Sequence, residues 1–265
     1  MATYVFDNAM EVARERLLLL EAAADPGTHR VLETIGVGPR WRCLEIGAGA
    51  GSIAAWLSER VGPAGYVLAT DIDPRFLEPI AAKHPNLDVR RHDVAADELP
   101  TGAFDLVHAR MVLEHVPERE RALCRMAAAL APGGWLVVEA VDFCAEVIDP
   151  AVGEDYAERF ARAHEARLRM MAGAGFDLTY ARGLVRRCRE LGLADVANEG
   201  RTYMWAGGST GAEVSRLSWE HLRDRFVAGD YLSDADVDDL QAMYADPRFA
   251  VTSPLLMAVW GRRPE

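Results

Sequence analysis

Glu45, Gly47, Gly49 and Gly51 occupy every second position of the stretch Cys43-Leu-Glu-Ile-Gly-Ala-Gly-Ala-Gly-Ser52. Glycine has no Cβ and reaches positive φ, so such a run lets backbone lie directly against a ligand. A helix opening behind it adds the partly positive end of its dipole. A carboxylate just ahead of the glycines repels a pyrophosphate and attracts a cation. Asp71 follows at the interval, about twenty residues, at which nucleoside-binding turns keep an acid for the ribose hydroxyls. In the dinucleotide form of the pattern the third glycine falls where this chain has Ser52. The chemistry supported is the binding of a nucleoside cofactor that carries an ammonium or similar positive group.

Alternating strands and helices must bring these residues together, and residues 40–142 supply them. Trp41 to Ile46 reads as a buried parallel strand and Ile53 to Arg60 as the helix after the glycines. Gly65 to Asp71, Asn86 to Asp93, Ala103 to Arg110 and Trp135 to Val141 read as further strands, the last entered through the turn Ala131-Pro-Gly-Gly134. Asp73 is a natural N-cap with Pro74 behind it, and Pro117 opens a helix to Leu130. Asp71 and Asp93 fall at strand carboxyl ends, where open α/β sheets bind ligands.

Ahead of this core, Met10 to Ala24 has helical spacing, Asp25-Pro26-Gly27-Thr28 reads as a break, and His29 to Ile35 as a second short helix. The arm Tyr4-Val-Phe6 reads either as a lid over the site or as a disordered tail. Beyond Asp142 the pattern predicts a long helix from Pro150 to Met171, another from Leu178 to Gly192, and a sixth strand within Ala194 to Trp205. Thr210 and Glu213 fit a capping box for a helix to Val227, Ser233 opens a short helix, and Val251 to Trp260 is a final strand weakened by Pro254. The expected organisation is one domain: a helical cap 1–39, a cofactor core 40–142, a helical insertion 143–175 and closing strands and helices 176–265.

Half of the 265 residues are hydrophobic, enough for one sizeable core, and 41 acidic against 29 basic residues give a net charge of -12. That balance argues against a nucleic-acid partner, whose affinity comes mostly from Lys and Arg. Cys43, Cys124, Cys144 and Cys188 are scattered, so neither a disulfide frame nor a zinc site is expected, and no metal is predicted. With no leader pattern and no apolar run long enough for a bilayer, the expectation is a cytoplasmic protein with no membrane partner, monomeric or homodimeric.

The motifs together resemble the class I S-adenosylmethionine-dependent methyltransferases. Glu45-Ile-Gly-Ala-Gly-Ala-Gly51 is similar to the first motif of that family, Asp71 to its acid after strand two, and Asp93-Val94 to its adenine-side residues. Phe104 to Val116 and Leu130-Ala-Pro-Gly-Gly-Trp-Leu136 are similar to later ones. The resemblance implies a Rossmann-like seven-stranded, mostly parallel sheet with helices on both faces, an antiparallel last strand and helical lid elements. It also implies S-adenosyl-L-methionine as cofactor. Gly47, Ala48, Gly49 and Gly51 would carry its methionine part, with Glu45 near the amino end. Asp71 would take the ribose hydroxyls and Asp93 the adenine amino group. Ile72 and Val94 would sandwich the ring, and backbone at Arg110 and Met111 would line the sulfonium.

Transfer from a sulfonium chiefly needs alignment and exclusion of water, and an oxygen nucleophile also needs a base. His108 at the end of strand four, His115 just beyond it and His164 on the long helix are the candidates. The His164 face also carries Tyr156, Phe160, Arg167 and Met171. Residues 1–39, 143–175 and 207–247 bracket the sheet edge. Their aromatics, together with neighbours such as Phe176, Tyr180, Tyr203 and Trp205, suggest an apolar or aromatic small-molecule acceptor. The expected function is methyl transfer to a small molecule, an oxygen nucleophile in secondary metabolism. The alternatives are N- or C-methylation, a cofactor-binding scaffold, sensor or pericyclic-type catalyst, and remotely an NAD-dependent dehydrogenase.

Overall fold

A computed structural model describes residues 12–265; the Tyr4-Val-Phe6 arm and Met10 lie outside the described residues. Strands β1 (Arg42–Ile46), β2 (Tyr66–Asp71), β3 (Leu87–Arg91), β4 (Phe104–Arg110) and β5 (Leu130–Asp142) alternate with helices, and β6 (Ala194–Arg201) and β9 (Leu255–Arg262) complete one sheet. Its seven strands run in the order β3-β2-β1-β4-β5-β9-β6, with β1 parallel to both β2 and β4 and the last strands antiparallel. This is the Rossmann-like arrangement. The short β7 (Met204–Ala206) and β8 (Ala250–Thr252) pair antiparallel in a separate two-stranded sheet.

The helices are α1 (Val12–Thr34), α2 (Ser52–Val61), α3 (Glu78–Ala81), α4 (Arg119–Ala129), α5 (Glu154–Gly173), α6 (Leu184–Glu190), α7 (Thr210–His221), α8 (Arg223–Ala228) and α9 (Asp234–Ala245). Two compact units form. The sheet unit comprises Ala24–Val141, Thr179–Gly200 and Leu256–Glu265, and the helical unit residues 12–23, Asp142–Leu178 and Arg201–Leu255. In the sheet unit, Leu44, Ile46 and Val107 pack with α4 and α6, and Cys43, Leu106 and Val137 pack with Val31 and Leu32 of α1 and with Ile53 and Leu57 of α2. Apolar strands covered on both faces are what a parallel sheet requires. The helical unit has its own core of Phe160, Met170, Trp219, Phe226, Tyr244 and Phe249.

Several expected boundaries move. Pro26 does not break the first helix; α1 runs through it, with Thr28 Oγ1 bonded back to the Ala24 carbonyl at 3.5 Å and Asp25 held by tertiary partners. Ala131-Pro-Gly-Gly134 lies inside β5 as a bulge, since Phe104 pairs with Leu130 while Leu106 pairs with Trp135. Pro150–Val152 is a single 3-10 turn, and Gly153, at φ 89°, separates it from α5. Likewise Tyr180–Gly183 is a 3-10 turn ahead of α6. Ser209, not Thr210, caps α7 by accepting from the Ala212 amide, Glu213 pairs with Arg216 instead, and Leu222 separates α7 from α8. Ser233 opens α9 as read, and does so through a capping box with Asp236. Pro254 splits the final strand into β8 and β9, which belong to different sheets, just as β6 and β7 divide the expected sixth strand.

A Cβ on Gly134 would lie 2.8 Å from the Phe104 carbonyl oxygen and 3.0 Å from that of Ala131. Both are backbone atoms that cannot swing aside. Gly134→Ala should therefore destabilise the protein by about 1 to 3 kcal/mol, the usual cost of overpacking, read as a lower urea midpoint with unchanged slope. An unshifted midpoint would show that the bulge can open freely.

Candidate active site

In the sheet unit the chain leaves β1 toward β2 on one side and β4 on the other, the switch point at which open sheets bind ligands. Glu45 pairs with Ala69 and His108, and Ile46 with Thr70 and Ala109, so the glycine turn, Asp71 and the Arg110–Met111 segment come level. The turn is braced: the Ala48 amide donates to the Thr70 carbonyl at 3.0 Å, and the Gly49 amide to Asp71 Oδ2 at 3.0 Å. Gly47 has φ 67°, and a Cβ there would lie 2.3 Å from Val112 Cγ2. Gly47 thus makes room for the chain leaving β4, and Gly51 similarly for Leu77 and Ile80.

Asp71 is 9% exposed and also accepts the Asp73 amide at 2.9 Å. Burial outweighs these bonds and raises its pKa. Next to it Ile72 is 49% exposed, an apolar side chain left bare, while Val94 is buried. Asp93 spends Oδ1 on the Ala95 amide at 2.9 Å and donates its own amide to Asp97. At the end of β4, Met111 takes φ 57°, rare for a residue with a side chain, and its amide donates to the Glu139 carbonyl at 2.7 Å.

The candidate bases are placed differently from one another. His108 has no exposed surface, with Nδ1 2.5 Å from Glu45 Oε2 and Nε2 3.3 Å from Glu139 Oε1. Its ring nitrogens face two carboxylates rather than an open site. His115 ends the 3-10 turn Leu113–His115, whose buried Glu114 accepts the Val141 amide at 3.0 Å. His164 belongs to the helical unit, stacked on Phe160 at 5.3 Å, where burial lowers its pKa. The Arg167 guanidinium donates to His164 Nδ1 at 2.9 Å and to buried Glu146, and lies 5.1 Å over both Phe143 and Trp219. Burial brings the Arg167 pKa down to about 10. Of the aromatics expected to line an acceptor pocket, Phe160, Phe176, Trp219 and Phe226 fill the core of the helical unit and Tyr180 is buried in the sheet unit, because large rings are what these helices pack with. Tyr203 is exposed.

Sequence reasoning missed Glu139, Asp25 and Thr28. Arg110 donates to Thr28 Oγ1 and Asp25 Oδ1, both at 2.9 Å, and Ser52 Oγ donates to the same Asp25 oxygen at 3.0 Å. One acid inside Leu-Val-Val-Glu-Ala-Val was the available signal for Glu139. Among the described residues no acid, histidine and cysteine cluster suits a metal, and no helix is long and apolar enough to cross a membrane. Cys43 and Cys188 are buried; Cys124 and Cys144 are exposed, and none forms a disulfide.

A family model described as a methyltransferase domain matches residues 6–198. Methyltransferase str2 of Strobilurus tenacellus is 32% identical over 154 residues, covering 58% of this chain and 53% of that protein. The ubiquinone/menaquinone biosynthesis C-methyltransferase UbiE of Laribacter hongkongensis is 33% identical over 121 residues, 42% of this chain and 50% of that one. The chain thus spans about half the length of the curated relatives it matches. Phosphoethanolamine N-methyltransferase 2 of Haemonchus contortus, solved with phosphomonomethylethanolamine and S-adenosylhomocysteine, superposes with a TM-score of 0.56 at 15% identity, over 91% of this chain and 53% of that one, a likeness of fold. With the family model covering most of the chain, and with the fold and the glycine turn in agreement, the chain belongs to the class I S-adenosylmethionine-dependent methyltransferases.

Proposed function

We propose that the sheet unit holds S-adenosylmethionine through Asp71, Asp93 and Glu45, and that the acceptor is the oxygen of a small molecule in secondary metabolism. The cofactor supplies a methyl group on a sulfonium, which needs no metal or covalent intermediate on the protein. Asp71 would accept both ribose hydroxyls, the free oxygen of Asp93 the adenine amino group, and Glu45 the ammonium. Ala48 and the three glycines would carry the methionine portion on backbone, and the strained Met111 with Arg110 would bound the sulfur. The observation that carries the cofactor assignment is Ile72: an apolar side chain 49% exposed beside a buried acid is what a stacked ring would cover, with Val94 on the buried side.

The acceptor reading draws on the histidines. His164 Nδ1 lies 2.9 Å from the Arg167 guanidinium and 3.3 Å from Glu146 Oε2, so that nitrogen already faces both members of a buried ion pair. His108 is engaged at both nitrogens. The nucleophile is therefore one that loses its proton readily, a phenol or enol, or one served by His115. A carbon acceptor is the second reading, favoured by the similarity to a C-methyltransferase. Incubation with S-adenosylmethionine and a panel of phenols, enols and amines, followed by carbon NMR of the product, decides between them. A methoxy signal is expected; a new carbon–methyl or nitrogen–methyl signal would replace the oxygen assignment.

Asp71→Ala should weaken S-adenosylhomocysteine binding by about 1.5 to 3 kcal/mol, the worth of a charged acceptor, measured by calorimetry; equal affinity in a folded variant would remove Asp71 from the site. Hydroxyl donors favour the carboxylate, so binding lowers the raised Asp71 pKa. Affinity should hold at neutral pH and fall as pH drops through the raised value, earlier than an ordinary aspartate would give, and Asp71→Asn should flatten that fall. For the unbound protein the sign is opposite: the stability linked to the raised pKa is full below the ordinary aspartate range and lost as pH rises through the raised value. Gly49→Val should abolish binding, since Gly49 sits at φ 60°, which a β-branched residue resists. Normal binding by that variant would mean the loop is used otherwise.

A further inference from the structure

Glu45, His108 and Glu139 stand on three adjacent strands, β1, β4 and β5, and all three are nearly sealed, at 3%, 0% and 0% exposure. Glu45 and His108 are direct register partners, and Glu139 lies on the same face as Val137, the register partner of His108. A parallel sheet interior is normally apolar, and charged groups there persist only when paired. Here the pairing is unequal. His108 Nδ1 approaches Glu45 Oε2 to 2.5 Å, while Nε2 is 3.3 Å from Glu139 Oε1. The shorter contact puts an Nδ1 proton toward Glu45, and a ring that also donates from Nε2 to Glu139 carries a proton on each nitrogen, an assignment made from the contacts. Glu139 steadies the opposite edge of the ring.

The other oxygen of Glu45, Oε1, accepts no hydrogen bond from any described residue, yet it is not among the sealed, unpartnered atoms. Among the described residues, Glu45 thus has one oxygen clamped by His108 and one that none of them clamps, just ahead of the glycine turn. A long side chain in this position has three torsions to fix, and every rotamer that must be frozen when a ligand arrives weakens binding. A clamp already built into the sheet removes that cost.

We infer that His108 is a positioning residue that holds Glu45 toward the ammonium group of the cofactor, with Glu139 orienting the His108 ring. The inference rests on the proposed contact between Glu45 and that ammonium. It gives His108 a role in cofactor affinity and none in proton abstraction from the acceptor.

Two ligands separate this role from general stability: S-adenosylhomocysteine, which has the amino-acid portion, and methylthioadenosine, which keeps the adenosine and lacks it. Calorimetry on His108→Leu should show S-adenosylhomocysteine binding about tenfold weaker, with methylthioadenosine binding unchanged. His108→Asn, whose amide can still donate to Glu45, should recover most of the loss. His108→Gln carries its donor past Glu45 and should not, so this pair decides the matter if the leucine variant fails to fold. Equal losses for both ligands, or no difference between the asparagine and glutamine variants, would overturn the inference. Glu45→Gln serves as the control. If it leaves the ratio of the two affinities unchanged, Glu45 does not meet the ammonium and both readings fall. If it shifts the ratio while the His108 variants do not, the Glu45 contact stands and the positioning role of His108 is overturned.

Discussion

Parallel pairing of β1 with β2 on one side and β4 on the other sets the carboxyl ends of these strands level. The glycine turn can then be held by Asp71 through the Gly49 amide and bounded on its other side by Val112, for which Gly47 has no side chain in the way. A one-residue slip of β1, β2 or β4 would turn Glu45, Asp71 or His108, respectively, to the opposite face. The apolar faces of β1 against α2 and α4 are what forbid that slip. Packing therefore sets the register, and the register places the polar groups.

Those polar groups are expensive to bury. Glu45, His108 and Glu139 in the sheet unit, and Glu146, Arg167 and His164 in the helical unit, each join carboxylate to cation or imidazole with little access to water. Such clusters add little net stability over an apolar replacement, but losing one partner leaves a stranded charge at a cost of roughly 3 to 5 kcal/mol. Each cluster holds its members in one arrangement: Glu45 beside the His108 ring in one core, and Arg167 between Glu146 and His164 in the other.

Much of the sheet unit was legible in the sequence because its signals are local. Buried parallel strands are short apolar runs, the Gly47 to Gly51 turn is punctuated by residue type, and Asp71 and Asp93 mark strand ends. What was not legible depended on partners distant in sequence. Asp25-Pro26-Gly27-Thr28 carries the local marks of a break, yet Arg110 and Ser52 hold Asp25 inside a continuous helix. The strand position of His108 near the reacting end makes it a candidate base in the sequence, and only the fold reveals Glu139 beside it. Phe160, Phe176, Trp219 and Phe226, expected as pocket lining, lie in the core, since packing and ligand binding draw on the same residue types.

Recognition of a sulfonium cofactor at the switch point is the claim on which the rest of the functional account depends. Hydrogen exchange read by mass spectrometry, with and without S-adenosylhomocysteine, tests it without altering the chain. Added protection is expected in the peptides carrying Gly47 to Gly51, Asp71 to Asp73 and Asp93 to Ala95. Protection confined to other peptides would contradict it.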